Sequence, residues 1–150
     1  MALAKQHRLR TGRFSEAGRP YLVTITCHNR KPVFSSFHAG CCFGRAIGEL
    51  KNDAETWCWV AMPDHAHWLM APGSEKDLSS CVQKLKSLTT RSLRKCASAN
   101  HPVWQRGFHD RALRREDELK PMARYVIANP IRAELVKSVR DWPFWDAAWI

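Results

Sequence analysis

The chain has 150 residues, 45% of them hydrophobic and seven of them tryptophan, enough to bury the core of one domain and too apolar for a disordered segment. Twenty-four Lys and Arg against fourteen Asp and Glu give a formal charge of +10 and a pI near 9.7, a balance that suits polyanions such as nucleic acid, an acidic protein or a membrane surface. No run approaches the roughly 18 apolar residues that span a bilayer, and the first residues lack an apolar signal core, so a cytoplasmic protein is expected. The six cysteines form no C-x-x-C pair, and buried reduced thiols are the expectation.

Residues 1–19 read as a basic arm, with Arg8, Arg10 and Arg13 among its cations. Residues 20–150 read as one domain. "YLVTITCHNRKPVF" alternates apolar and polar residues as a half-buried strand does, whereas "HAGCCFGRAIGELKNDA" spaces its apolar residues as a helix does. "TWCWVAMPDHAHWLMAP" predicts a second strand region, interrupted at Met62-Pro63-Asp64 by turn chemistry into a hairpin or bulged pair.

Ser74 and the acids after it open a helix over "SEKDLSSCVQKLKSLTTRSLRKCASA", whose apolar stripe includes Leu78, Val82, Leu85, Thr89 and Cys96. Lys84, Arg91 and Lys95 line up beside that stripe. "VWQRGFHDRALR" predicts a strand and "EDELKPMARYVIANPIRAELV" a helix that Pro130 kinks or breaks. The aromatic tail "KSVRDWPFWDAAWI" packs back onto the domain. The order β-α-β-β-α-β-α predicts an α+β sandwich, ferredoxin-like or RRM-like, with a mainly antiparallel sheet and helices on one face.

Two groups of residues carry chemistry. Residues two apart on a strand share a face, so His65 and His67 converge while Ala66 points away. On these residues alone the pair is either a metal grip or two satisfied histidines of a half-buried strand. In "MARYVIANPIR", Tyr125 and Asn129 are four apart and share a face on a helix, with Arg124 and Arg132 flanking the tyrosine. A phenol attacks a phosphodiester only with electrophilic help and nearby cations, and a core tyrosine beside a helix-ending Asn-Pro is the other reading of this segment.

Together, "MPDHAHWLM", "VWQRGFHDRALR", "ARYVIANPIRAELV" and "DWPFWDAAW" resemble, in order, the single-tyrosine HUH transposases, and among them the REP-associated tyrosine transposases of bacterial chromosomes. The resemblance implies a ferredoxin-like domain with the two-histidine motif on a central strand and the nucleophile on a helix beside it. His65 and His67 match the metal-binding histidines, Tyr125 the catalytic tyrosine, and Asn129 the third polar ligand of a Mg²⁺ or Mn²⁺ ion. Implied activity is metal-dependent cleavage and rejoining of single-stranded DNA at REP-like hairpin palindromes through a 5′-phosphotyrosine link, by a monomer or homodimer with no membrane partner. The alternative is a catalytically silent, domesticated DNA- or RNA-binding module on the same fold. Candidate phosphate contacts are Arg8, Arg10, Arg13, Lys84, Arg91, Lys95, Arg124 and Arg132, with His109 and Asp110 as supporting residues. Glu134 stands where related proteins often carry glycine.

Overall fold

In the computed structural model, residues 15–96, 101–115 and 118–149 are described. Strand β1 (Tyr21–Thr26) buries alternate residues, as its sequence pattern demands. Helix α1 (Phe37–Glu49) starts at Ser36, whose hydroxyl accepts from the Ala39 amide at 3.3 Å, and it buries Ala39, Cys42, Phe43, Ala46 and Ile47 on one stripe. A hairpin follows, made of β2 (Ala54–Ala61) and β3 (His65–Pro72), with Met62-Pro63-Asp64 as its turn. The Met62 amide closes that turn by donating to the His65 carbonyl at 2.7 Å.

Helix α2 (Leu78–Cys96) comes next, then β4 (His109–Ala112), α3 (Leu119–Ile127), the short α4 (Asn129–Arg132) and β5 (Trp145–Ala147). The five strands form one sheet in the order β4-β1-β3-β2-β5, and every neighbouring pair is antiparallel. The expected α+β, ferredoxin-like arrangement is therefore present, with β3 at the centre and β5 as an added edge.

Helices lie on both faces, not one. Helices α1 and α2 cover one face through Phe43, Ile47, Leu78, Val82 and Leu85, against Val23, Ile25, Trp68 and Met70. Helix α3 covers the other through Met122, Ala123 and Val126, against Cys58, Val60 and Leu69. The physical reason is that β2 and β3 carry apolar side chains on both faces, so each face needs cover.

Two further expectations are modified. The strand read into "VWQRGFHDRALR" is confined to its second half: Gly107 takes φ +75°, and Trp104 makes only an isolated bridge to Cys27 while its ring packs on Phe34 at 5.5 Å. The tail does pack back, and it also contributes β5. Its Ala61–Phe144 backbone bond (2.9 Å) and the Trp142 indole bond to the Ala61 carbonyl (3.0 Å) fasten it to the end of β2. The Phe144 ring lies flush on α1 where Gly40 leaves room for it.

Arg8, Arg10 and Arg13 lie outside the described residues. Residues 15–19, the last of the basic arm, hydrogen-bond to the domain through Gly18 to the Pro72 carbonyl (2.8 Å) and through the Ser15 hydroxyl, which accepts from the Leu78 amide (3.0 Å). Cys27, Cys41, Cys42, Cys58 and Cys81 are free thiols, and burial pushes Cys27 and Cys58 up to about 12, so neither is a thiolate near neutral pH. Among the described residues, no helix is long and apolar enough to cross a membrane.

Candidate functional site

Strand parity decides which side chains can meet. On β3, Ala66, Trp68 and Met70 enter the core beneath α1 and α2, so His65, His67 and Leu69 point to the face covered by α3. The two imidazoles stand with ring centroids 4.9 Å apart and planes at 84°.

Each ring is held by its Nδ1. Asp64 Oδ1 lies 2.7 Å from His65 Nδ1, and its Oδ2 accepts from Arg30 at 3.2 Å. Burial disfavours the Asp64 carboxylate, but the bonds from His65 and Arg30 and their charges outweigh it and hold the group below its ordinary value of 3.8. A carboxylate only accepts, so His65 Nδ1 carries a proton and its Nε2 is not engaged by this bond. Arg30 reaches Asp64 from a backbone with two successive left-handed residues, Asn29 and Arg30, both at φ +53°, a conformation uncommon outside glycine.

His67 Nδ1 lies 2.9 Å from Thr24 Oγ1 on the neighbouring strand. Register pairs Thr24 with His67 on one side and His109 on the other, so His109 stands on the histidine face. Asp110 pairs with Val23 and stands on the opposite face. Burial pushes the His67 pKa down from 6.5 to about 4, aided by the charges of His65 and Arg132. His67 is therefore a neutral imidazole across the physiological range.

Helix α3 presents Tyr125 beside this face. Met122, Ala123 and Val126 bury one stripe, and Tyr125 at its margin remains 59% exposed. The helix then bends, because Pro130 has no N–H for the Val126 carbonyl. Asn129 fills that vacancy: its side-chain Nδ2 donates to Val126 O at 2.7 Å, which fixes the amide and leaves Oδ1 uncommitted by this bond. Past the bend, Arg132 folds back over Tyr125, and its charge is felt at His67.

The donor set suits a hard or borderline divalent cation. Two imidazoles with oriented Nδ1 groups resemble the way metal-binding histidines are held in general. Among the described residues no group of three or more His, Cys, Asp or Glu side chains forms a metal cage, so further ligands would be the Asn129 amide oxygen, water or substrate oxygens.

Of the proposed phosphate contacts, Lys84 is paired with Asp53 at 2.6 Å. Arg91 and Lys95 line an open depression of about 550 Å³ on α2, together with Lys86, Thr90 and Arg94, across the sheet from the histidines. Lys86 is half-buried and donates to the carbonyls of Gln105 (3.0 Å) and Gly107 (2.7 Å), which ties α2 to the segment before β4. Arg124 is exposed on α3. A second depression of about 550 Å³ runs alongside Tyr125, with Arg111, Arg115, Glu118 and Met122 in its wall.

Sequence reasoning missed Thr24, Arg30 and Asp64. Asp64 was within reach, since it directly precedes His65; the other two depend on cross-strand register and a loop conformation that carry no sequence signal.

The chain matches one family along most of its length. The family model described as "Transposase IS200 like" fits residues 20–129, and the chain belongs to that family. Within it, the likeness is to REP-associated tyrosine transposases. The Escherichia coli K12 protein of that name is 29% identical over 136 residues, spanning 88% of this chain and 78% of its own. A candidate REP-associated tyrosine transposase of Haemophilus influenzae is 31% identical over 100 residues, 60% of this chain and 57% of its own. The solved structure of a REP-associated tyrosine transposase bound to a REP hairpin superposes with a TM-score of 0.72 at 26% identity, covering 89% of this chain and 79% of that one.

Proposed function

We propose that this transposase-family chain cleaves and rejoins single-stranded DNA at the foot of hairpin-forming repeats, with Tyr125 as nucleophile. The observation that carries this reading is the placement, on one face of the sheet, of two Nδ1-anchored histidines and of the helix, packed against the neighbouring strand, that bears an exposed tyrosine. The solved relative held on a REP hairpin supplies the substrate class.

His65 and His67, with Asn129 as third ligand, would hold a Mg²⁺ or Mn²⁺ ion. When bound, such an ion supplies Lewis-acid polarisation of the scissile phosphate. The remaining steps belong to the protein. Tyr125 Oη attacks phosphorus as its phenolic proton departs; the bond from phosphorus to the 3′ oxygen breaks, and that oxygen leaves as a 3′-hydroxyl after taking a proton. The product is a 5′-phosphotyrosine link, which conserves the phosphodiester for later attack by a 3′-hydroxyl, so no nucleotide cofactor is needed. Asp64 and Thr24 keep the imidazoles oriented throughout. Arg124 beside the tyrosine, and Arg91 and Lys95 in the α2 depression, contribute phosphate contacts whose strength falls with salt.

The test is a denaturing gel of the full chain incubated with an end-labelled oligonucleotide carrying the palindromic repeat nearest its own gene. A covalent protein–DNA band that requires the divalent ion and vanishes in Tyr125→Phe, while hairpin binding persists, is the expected result. A band that survives in Tyr125→Phe, or cleavage undiminished by EDTA, refutes the assignment. Binding without any cleavage by the unaltered chain is the signature of a domesticated binding module.

A further inference from the structure

An exposed phenol is poorly suited to in-line attack unless something restricts it. Tyr125 is 59% exposed and sits at the margin of the apolar stripe of α3, so packing alone leaves its ring free to sample rotamers. Correct placement of reacting atoms is worth orders of magnitude in rate. The restraint on this ring comes from a residue seven positions along the chain.

Arg132 makes two contacts with the same tyrosine. Its guanidinium carbon lies 3.8 Å from the centroid of the Tyr125 ring, and its Nη1 donates to the Tyr125 main-chain carbonyl at 2.7 Å. A guanidinium is planar and carries five donors, so it can stack on a ring and donate in its plane at once; an ammonium cannot do both in one fixed geometry. The bend at Ala128, pinned by Pro130 and the Asn129 side chain, sets the direction from which Arg132 folds back.

We propose that Arg132 is the positioning residue of the nucleophile: it clamps the Tyr125 ring by stacking and main-chain bonding rather than serving as one more phosphate contact. The rate consequence rests on Tyr125 being the nucleophile; the clamp itself does not. Arg132 is exposed and belongs to neither apolar cluster, so its replacement leaves the fold intact.

The chain has two tyrosines, Tyr125 and the buried Tyr21, so protein labelled with 3-fluorotyrosine gives two ¹⁹F resonances, one of them an internal control for folding. In DNA-free Arg132→Ala and Arg132→Lys proteins, the Tyr125 resonance should shift and narrow while that of Tyr21 stays in place. On the hairpin oligonucleotide, both variants should form covalent adduct about 10- to 100-fold more slowly, with dissociation constants within about threefold of the unaltered chain and an unchanged salt dependence. The proposal is overturned if Arg132→Lys keeps the native Tyr125 resonance and adduct rate. It is equally overturned if Arg132→Ala leaves the resonance unmoved and instead weakens DNA binding with a salt slope lower by about one, the mark of a lost phosphate contact. Should the unaltered chain form no adduct, the assignment of Tyr125 as nucleophile fails, and the spectra still decide whether the clamp exists.

Discussion

Acidification should destabilise this fold, and most strongly through one residue. His67 is held neutral by burial, with a pKa of about 4 in the folded chain against 6.5 when exposed. Between those values the unfolded chain takes up a proton that the folded chain refuses, so stability falls as pH drops through this window and is unaffected by this group above it. For these two values the loss is negligible at pH 7.5, about 2 kcal/mol at pH 5 and about 3 kcal/mol at pH 4. The measurement is urea denaturation in EDTA at a series of pH values, comparing the unaltered chain with His67→Asn. Groups remote from the site titrate alike in both proteins, so the difference between the two curves reports chiefly on His67. The two stabilities should converge by about 2 kcal/mol between pH 7.5 and pH 5. Parallel curves over that range would show that His67 titrates normally and that the half-buried imidazole is not held neutral.

Other outcomes follow from named contacts. Asp64→Ala and Thr24→Val each release the Nδ1 of one histidine and should weaken Mn²⁺ binding, read by calorimetry, about 10- to 100-fold; unchanged affinity would mean that these bonds do not orient ligands. Gly40→Ala puts a methyl group into the Phe144 ring and should cost about 1–3 kcal/mol in a denaturant titration, unless the tail can shift at no cost. Glu134, at φ +59°, takes a left-handed conformation that side chains disfavour, so Glu134→Gly should stabilise the chain by about 1 kcal/mol; a loss of stability would mean that its side chain makes a compensating contact. Lys84→Ala should leave the salt dependence of DNA binding unaltered, because Lys84 is paired with Asp53, whereas Arg91→Ala should lower the slope by about one.

The hydrophobic period identified β1, α1, the β2–β3 hairpin, α2 and α3, because each is long enough for alternation or a helical stripe to repeat. It did not identify β5: three residues after Trp142-Pro143-Phe144 contain no repeat, and that strand exists only because the edge of β2 is open to it. Nor did it reveal which face of the sheet α3 would cover, since the stripe of Met122, Ala123 and Val126 fits either one. Among the site residues, His65, His67, Tyr125 and Asn129 carried recognisable spacings. The spacing of Lys84, Arg91 and Lys95 suggested one common surface, but a row of cations says nothing of an Asp53 brought alongside from 31 positions earlier. Asn129 also does something that spacing could not express: it is the substitute donor where Pro130 interrupts the helix.

The hairpin's odd and even positions serve different masters. Residues 65, 67 and 69 look toward the tyrosine helix, while 66, 68 and 70 are packed beneath the two long helices. A single residue inserted or deleted between His65 and His67, inside the strand, would put the two imidazoles on opposite faces of the sheet. Length in this stretch is therefore constrained more tightly than identity. Across related chains, apolar exchanges at Ala66 or Leu69 should be found, and changes of one residue in length between His65 and His67 should be absent.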